Sequence, residues 1–244
     1  MARTRLDRLL FARGLAPTRE KAQALILSGA VSVDGRRVDK AGTPVDETAE
    51  ITVAGPAHPY VSRGGVKLAA ALDAFGLDPA GAVCLDVGAS TGGFTDCLLQ
   101  RGAAKVYAVD VGHGQLDAKL RADPRVVVRE KLNARSLSRD DVPEPVHLAT
   151  VDVSFISTRL VLPAVAPLLE RTGALVVLVK PQFEAGRAEV GKGGIVRSEA
   201  VRLRVLGQVE GYGRDAGLEP IGSLPSPIRG AHGNEEILLG FRVN

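Results

Sequence analysis

The chain has no tryptophan, one methionine and two cysteines in 244 residues, and aromatic side chains make up only 4% of it. So small an aromatic supply leaves the core to aliphatic residues, and the 45% apolar content suffices for a sizeable one. Cys84 and Cys97 form no Cys-x-x-Cys pair and fall in runs that read as core elements. Neither a disulfide framework nor a metal site is therefore expected, and a reduced, cytoplasmic setting is. No apolar run approaches the roughly 20 residues of a membrane span; Ala174 to Val179 is strand-sized and stops at Lys180. Met1 to Arg5 is basic but leads into no continuous apolar segment, which argues against a secretory signal and a membrane role. An excess of one charge is lacking too: +3 at a pI near 9.0 permits an anionic partner without requiring one. The length allows one full α/β domain and a small extra module.

What is present centres on Cys84-Leu85-Asp86-Val87-Gly88-Ala89-Ser90-Thr91-Gly92-Gly93-Phe94. The branched apolar run 82–87 predicts a buried strand, and Phe94 to Gly102 predicts a helix closed by glycine. Such a turn lets bare backbone approach a ligand. Ser90 stands where a dinucleotide fingerprint needs its second glycine, which excludes a nicotinamide enzyme. Asp86 ends the strand, where it would repel a pyrophosphate but suit a ligand bearing an ammonium and a sulfonium. The next strand ends in Asp110, placed to accept the two hydroxyls of a ribose. This pairing of acids around a glycine loop resembles the S-adenosyl-L-methionine site of class I methyltransferases. The loop residues Gly88, Ser90, Thr91, Gly92, Gly93 and Phe94 join Asp86 and Asp110 as candidate cofactor contacts.

Residues 1–58 read as a separate module. Leu6, Leu9 and Leu10 recur at helical spacing, Thr18 can cap a second helix carrying Ala22, Leu25 and Ile26, and Val31 to Val38 alternates around Asp34-Gly35 like a hairpin. Arg3, Arg5, Arg8, Arg13, Arg19 and Lys21 decorate the helices, while Arg36, Arg37 and Lys40 surround the hairpin. Charges so placed ordinarily mark a solvated face. The order of residues, however, resembles the small RNA-binding domain of ribosomal protein S4, which implies recognition of RNA by backbone shape and charge. Gly55 to Pro59 reads as a linker. With the helix around Val66 to Leu72 it makes a connecting stretch, 59–81.

From residue 82 onward apolar runs at 82–87, 104–109, 125–128, 146–151 and 174–179 alternate with helical stretches, and 218–224 and 236–243 close the series. The expected fold is α/β, a doubly wound Rossmann-like sheet over 82–244. Ligands of such sheets bind beyond the carboxyl ends of the strands, where Asp86, Asp110, Asp152 and Lys180 all fall. Lys180 ends an otherwise apolar strand, so its ammonium needs a partner. Singly, Lys67 reads as an exposed helix lysine and Glu236 as a surface acid.

Together, Lys67, Asp152, Lys180 and Glu236 resemble the Lys-Asp-Lys-Glu tetrad of FtsJ-type ribose 2′-O-methyltransferases. On that resemblance Lys180 is the expected base, tuned by Asp152 and Glu236, with Lys67 positioning the ribose. Tyr-Val-Ser-Arg-Gly-Gly-Val-Lys-Leu at 60–68, the loop from Asp86, Val-Asp-Val-Gly-His-Gly-Gln-Leu, Val-Asp-Val-Ser-Phe-Ile-Ser and Val-Lys-Pro-Gln-Phe-Glu extend the likeness to nearly the whole chain. They resemble the TlyA family, bacterial cytidine 2′-O-methyltransferases of ribosomal RNA often catalogued as haemolysin A. The resemblance implies a monomer acting on ribosomal RNA or ribosomal subunits, without metal. It adds Asn133 and Asp152 as cofactor contacts and Arg63 as an RNA contact. It implies 23S RNA as substrate; 16S RNA is less expected, because the chain ends right after its last strand. The glycine-rich stretch 182–197, with Arg187 and Lys192, reads as a surface loop or as a lid for RNA phosphates. Two further readings are an RNA-binding factor with an inactive methyltransferase fold and a membrane-active haemolysin; no long cationic amphipathic helix supports the second.

Overall fold

The computed structural model describes residues 3–27, 29–53, 58–230 and 233–244. The chain divides into two compact units, Met1–Pro59 and Tyr60–Asn244. Gly55, Pro56 and Ala57 of the expected linker lie outside the described residues.

The first unit runs β1 (Arg3–Arg5), α1 (Leu6–Ala12), α2 (Arg19–Leu27), β2 (Val31–Val33), β3 (Arg36–Arg37), β4 (Pro44–Asp46) and β5 (Ile51–Val53). Leu6, Leu9 and Leu10 from one helix meet Ala22 and Ile26 from the other, with Val31 and Val45 completing a small aliphatic core. Thr18 caps α2 by accepting from the Lys21 N–H at 3.2 Å. The β2–β3 hairpin turns at Asp34 and Gly35, both with positive φ, as its two-residue turn demands. Pairing of β1 with β4 was not legible, because Arg-Thr-Arg carries no apolar alternation.

The second unit runs α3 (Gly64–Phe75), β6 (Val83–Val87), α4 (Gly93–Gln100), β7 (Lys105–Val109), α5 (Ala118–Arg121), β8 (Val126–Arg129), β9 (Val146–Val151), α6 (Leu162–Val165), β10 (Leu169–Val179), α7 (Pro181–Glu184), α8 (Glu199–Asp215), β11 (Leu218–Pro225) and β12 (Ile237–Val243). They build one seven-stranded sheet in the order β11-β12-β10-β9-β6-β7-β8. β8, β7, β6, β9 and β10 are parallel, and β12 returns antiparallel beside β10. Alternate residues feed separate core layers on the two faces, Leu85 and Val87 on one, Cys84 on the other. Burial on both faces explains why the strands read as unbroken apolar runs. β10 starts earlier than its apolar run, since Glu170, Arg171 and Thr172 break the hydrophobic signal but continue the extended backbone. Both thiols are buried and free, pushed up by that burial to about 12 for Cys84 and about 11 for Cys97.

The chain leaves β6 toward β7 and β8, then crosses back to lay β9 on the opposite side of β6. That reversal puts the carboxyl ends of β6 and β9 side by side, at the switch point where open α/β sheets hold their ligands.

Candidate active site

Gly88 follows β6 with φ +88°, and a Cβ there would lie 2.3 Å from the Asp152 carbonyl oxygen. Only glycine permits the two loops to approach this closely. Gly93 is under a similar limit: its Cβ would meet Ser62 Oγ at 2.2 Å, so the N-terminus of α3 seats directly on that of α4. Asp96 holds the segment ahead of α3 by accepting from the Val61 N–H at 2.8 Å. Lys67 is thereby fixed on the first turn of α3, over the carboxyl edge of the sheet.

Two lysine–carboxylate pairs form there. Lys67 Nζ donates to Glu236 Oε2 at 2.5 Å, and both side chains are largely buried. Lys180 Nζ stands 2.6 Å from Asp152 Oδ1 and donates to Ser154 Oγ at 2.8 Å. The Asp152 contact is a charge contact rather than an aligned bond, which leaves Oδ1 a buried oxygen without a directed donor. The ammonium at the end of the apolar strand is thus paired, as burial of charge requires.

Lys67 and Asp152 line a cavity with Arg63, the loop from Gly88, and Arg229. Lys67 also lines a second cavity with Lys180, Glu236, Phe155 and Phe183. A third, of about 710 Å³, is bordered by Gly88, Ser90, Asp110, Asn133, Asp152 and Ser154, and its size suits a nucleoside. Asp110 takes the Ser90 N–H on one oxygen and the Gly112 N–H on the other, each at 2.7 Å. Each oxygen keeps a second lone pair for a further donor. Asn133 Oδ1 caps the short turn after it by accepting from the Arg135 N–H. The close-packed glycine cradle, the anchored Asp110 and the undirected oxygen of Asp152 fit a methyl donor built on adenosine.

Two expected cofactor contacts sit elsewhere. Asp86 is fully buried, accepting from Thr95 Oγ1 at 2.7 Å and Thr150 Oγ1 at 3.0 Å, and it borders none of these cavities. Its side chain points between strand and helix rather than past the strand end, and burial pushes its carboxyl up to about 6. Gly92 packs against Leu116 and Leu120, a helix-entry role. Thr91 and Phe94 do line the first cavity, Phe94 from the core.

The expected RNA contacts separate likewise. Arg3, Arg8, Lys21, Arg36, Arg37, Arg63, Arg187 and Lys192 are exposed. Arg13 instead donates to the Ala49 and Glu47 carbonyls, bracing its own unit. Arg5 and Arg19 both bind Asp7 and remain partly exposed beyond it. Residues the sequence did not single out are Arg229, Ser154 and Phe155. Phe155 is 90% exposed at φ +63°, its ring 4.9 Å from that of Phe183. A bulky residue in that region of φ is strained, a signal only the structure carries.

The fold and this edge define a Rossmann-like methyltransferase of the FtsJ type preceded by an S4 module. Residues 60–243 match the FtsJ-like methyltransferase family and residues 4–51 the S4 domain. The chain is 46% identical over 242 residues, 99% of its length and 90% of the relative's, to "16S/23S rRNA (cytidine-2'-O)-methyltransferase TlyA" of Mycobacterium tuberculosis. It is 34% identical, over 76% of this chain and 72% of the relative, to "23S rRNA (cytidine-2'-O)-methyltransferase TlyA" of Campylobacter jejuni. A solved structure from Streptococcus thermophilus carrying a hemolysin name is 44% identical, covers 100% of this chain and 90% of its own, and superposes with a TM-score of 0.79. The chain belongs to the TlyA family of FtsJ-like methyltransferases. Among the described residues no helix is long and apolar enough to cross a membrane.

Proposed function

We propose that the protein transfers a methyl group from S-adenosyl-L-methionine to the ribose 2′-oxygen of a cytidine in ribosomal RNA, with 23S RNA as its substrate. The names of both TlyA relatives include that RNA and that nucleoside. The observation that carries the chemistry is the Lys180 amine, 2.6 Å from Asp152 at an edge shared by the nucleoside-sized cavity and the cavity holding the second lysine.

Asp110, Asn133, Asp152 and the loop residues Gly88, Ser90, Thr91, Gly93 and Phe94 would hold the methyl donor, which supplies an electrophilic methyl on a sulfonium. A ribose hydroxyl is a poor nucleophile until it loses its proton. Lys180 accepts that proton at Nζ, Asp152 compensates the resulting ammonium, and Lys67, fixed by Glu236, orients the sugar. Positioning of the reacting groups supplies much of the rate. In the first unit the exposed Arg3, Arg8, Lys21 and Arg36 meet RNA phosphates, and in the second Arg63, Arg187 and Lys192 do so.

With ribosomal RNA or subunits and methyl-labelled donor, Lys180→Ala is expected to lose at least 10³-fold in transfer, within the range of a missing general base. Donor affinity by calorimetry should stay within about threefold. Substantial residual transfer overturns the assignment of the base, and mass mapping of the product showing label off a 2′-oxygen overturns the reaction.

A further inference from the structure

We infer that Ser154 is a positioning residue that, with Asp152, aims the lone pair of Lys180 at the acceptor ribose. This rests on Lys180 being the base, as proposed above.

A lysine amine has four tetrahedral directions, one taken by its own Cε. Two protein oxygens stand around Lys180 Nζ: Asp152 Oδ1 at 2.6 Å and Ser154 Oγ at 2.8 Å. When the amine is neutral, the N–H held on Ser154 Oγ fixes its rotation, and the Asp152 carboxylate beside it disfavours turning the lone pair toward that oxygen. The lone pair is thereby left for the cavity that Lys180 and Ser154 line together with Phe155 and Phe183. Asp152 alone cannot enforce this, because its contact is not aligned as a hydrogen bond. Without Ser154, rotation about the Cε–Nζ bond lets the lone pair turn toward the carboxylate or into solvent. Only the proton's path passes through this residue pair: the hydrogen of the 2′-hydroxyl moves to Nζ as the methyl bond to oxygen forms and the sulfur keeps the electron pair. The ammonium then releases its proton to solvent.

The placement of Ser154 is built into the fold. Ser154 and Asp152, two residues apart, reach the same amine. The turn continues through Phe155 in its strained conformation, then closes on Glu184, which accepts from Ser157 Oγ at 2.6 Å and the Thr158 N–H at 2.7 Å. Glu184 belongs to α7, which begins directly after Lys180. One carboxylate therefore braces the loop carrying the two oxygens against the element carrying the amine. Ser154 and Phe155 also line both the cavity beside Lys180 and the nucleoside-sized one.

The test compares full-length Ser154→Ala, Ser154→Thr and Lys180→Arg. Ser154→Ala should lower kcat on the order of tenfold with KM for RNA and for donor within twofold, and Ser154→Thr, which keeps the hydroxyl, should restore most of it. A second readout needs no turnover: nitrogen-15 NMR of lysine side chains, with the Lys180 signal assigned by its loss in Lys180→Arg. That signal should be exchange-protected in the native protein and in Ser154→Thr, and unprotected in Ser154→Ala. Wild-type kcat in Ser154→Ala, a change confined to KM, or an unchanged NMR signal overturns the inference. Full turnover by Lys180→Arg, whose guanidinium cannot serve as the base, overturns the base assignment itself; an inactive Lys180→Arg beside an unaffected Ser154→Ala overturns Ser154 alone.

Discussion

Asp7 in the first unit and Asp86 in the second are both 0% exposed, yet the two units hold their buried acids in opposite ways. Asp7 receives the Arg5 guanidinium on both oxygens, Arg19 Nε at 3.0 Å and Gln23 Nε2 at 2.9 Å. These cations hold its carboxyl far below the usual carboxylate range, with Arg5 the leading cause. Asp86 has neutral donors, the hydroxyls of Thr95 and Thr150 and the Thr95 backbone N–H, and burial outweighs them, raising its carboxyl to about 6. A small unit with a modest core thus uses charge pairing to tie β1, α1 and α2 together. The larger sheet tolerates a carboxyl whose burial makes ionisation harder. Burial alone does not fix the charge state of an acid; the donors around it do.

The largest effect expected of this contrast is at Asp86. Below about pH 4 folded and unfolded chains both hold its proton, so the group costs nothing. As pH rises toward 6 the unfolded chain releases the proton first, and stability falls by ~3 kcal/mol at most before levelling off. Asp86→Asn removes this titration, so its stability above pH 6 should equal or exceed that of the native protein, as denaturant melts from pH 4 to 8 would show. A mutant markedly less stable at pH 7 would mean that the carboxylate is needed in its ionised form, and the comparison with Asp7 fails. The same variant sharpens the site: donor affinity should stay within about threefold, whereas Asp110→Ala, which removes a carboxylate bordering the nucleoside-sized cavity, should weaken it tenfold or more, about 1.4 kcal/mol.

Asp86 also marks where the sequence stopped being informative. The strand–glycine–helix order and the run of parallel strands were legible because both faces of the sheet are buried, which makes each strand a continuous apolar stretch. The residues at strand ends followed from that count, so Lys180, Asp152 and Asp110 were found at the edge. Asp86 lies before the strand's last residue, and whether such a side chain faces the core or the rim depends on the pleat, which a run apolar on both faces does not reveal. Ser154 and Phe155 were missed for a different reason. Their importance comes from a turn with positive φ braced by Glu184, a tertiary contact across 26 and 27 residues with no periodic signal. In the first unit the list of basic residues was correct as composition. It could not tell Arg8 from Arg13, since both are exposed but Arg13 directs its guanidinium to carbonyls of its own unit.

The smaller effect lies at Asp7. Its lowered pKa means the stabilisation is fully present above about pH 4 and is lost as pH falls and the carboxyl is protonated, the reverse of Asp86. Asp7→Asn should therefore cost about 1–2 kcal/mol at pH 7, the low end for charge-assisted bonds because both guanidiniums are partly solvated, and the native–mutant difference should shrink in acid. Arg5 and Arg19 keep their charge in the mutant but lose the carboxylate that orients them. If they meet RNA phosphates, the mutant binds RNA more weakly with a salt slope at least as steep, since no positive charge is lost and one negative charge is removed. Unchanged RNA affinity would mean that the two arginines lie outside the interface and that Asp7 supports only the fold of its own unit.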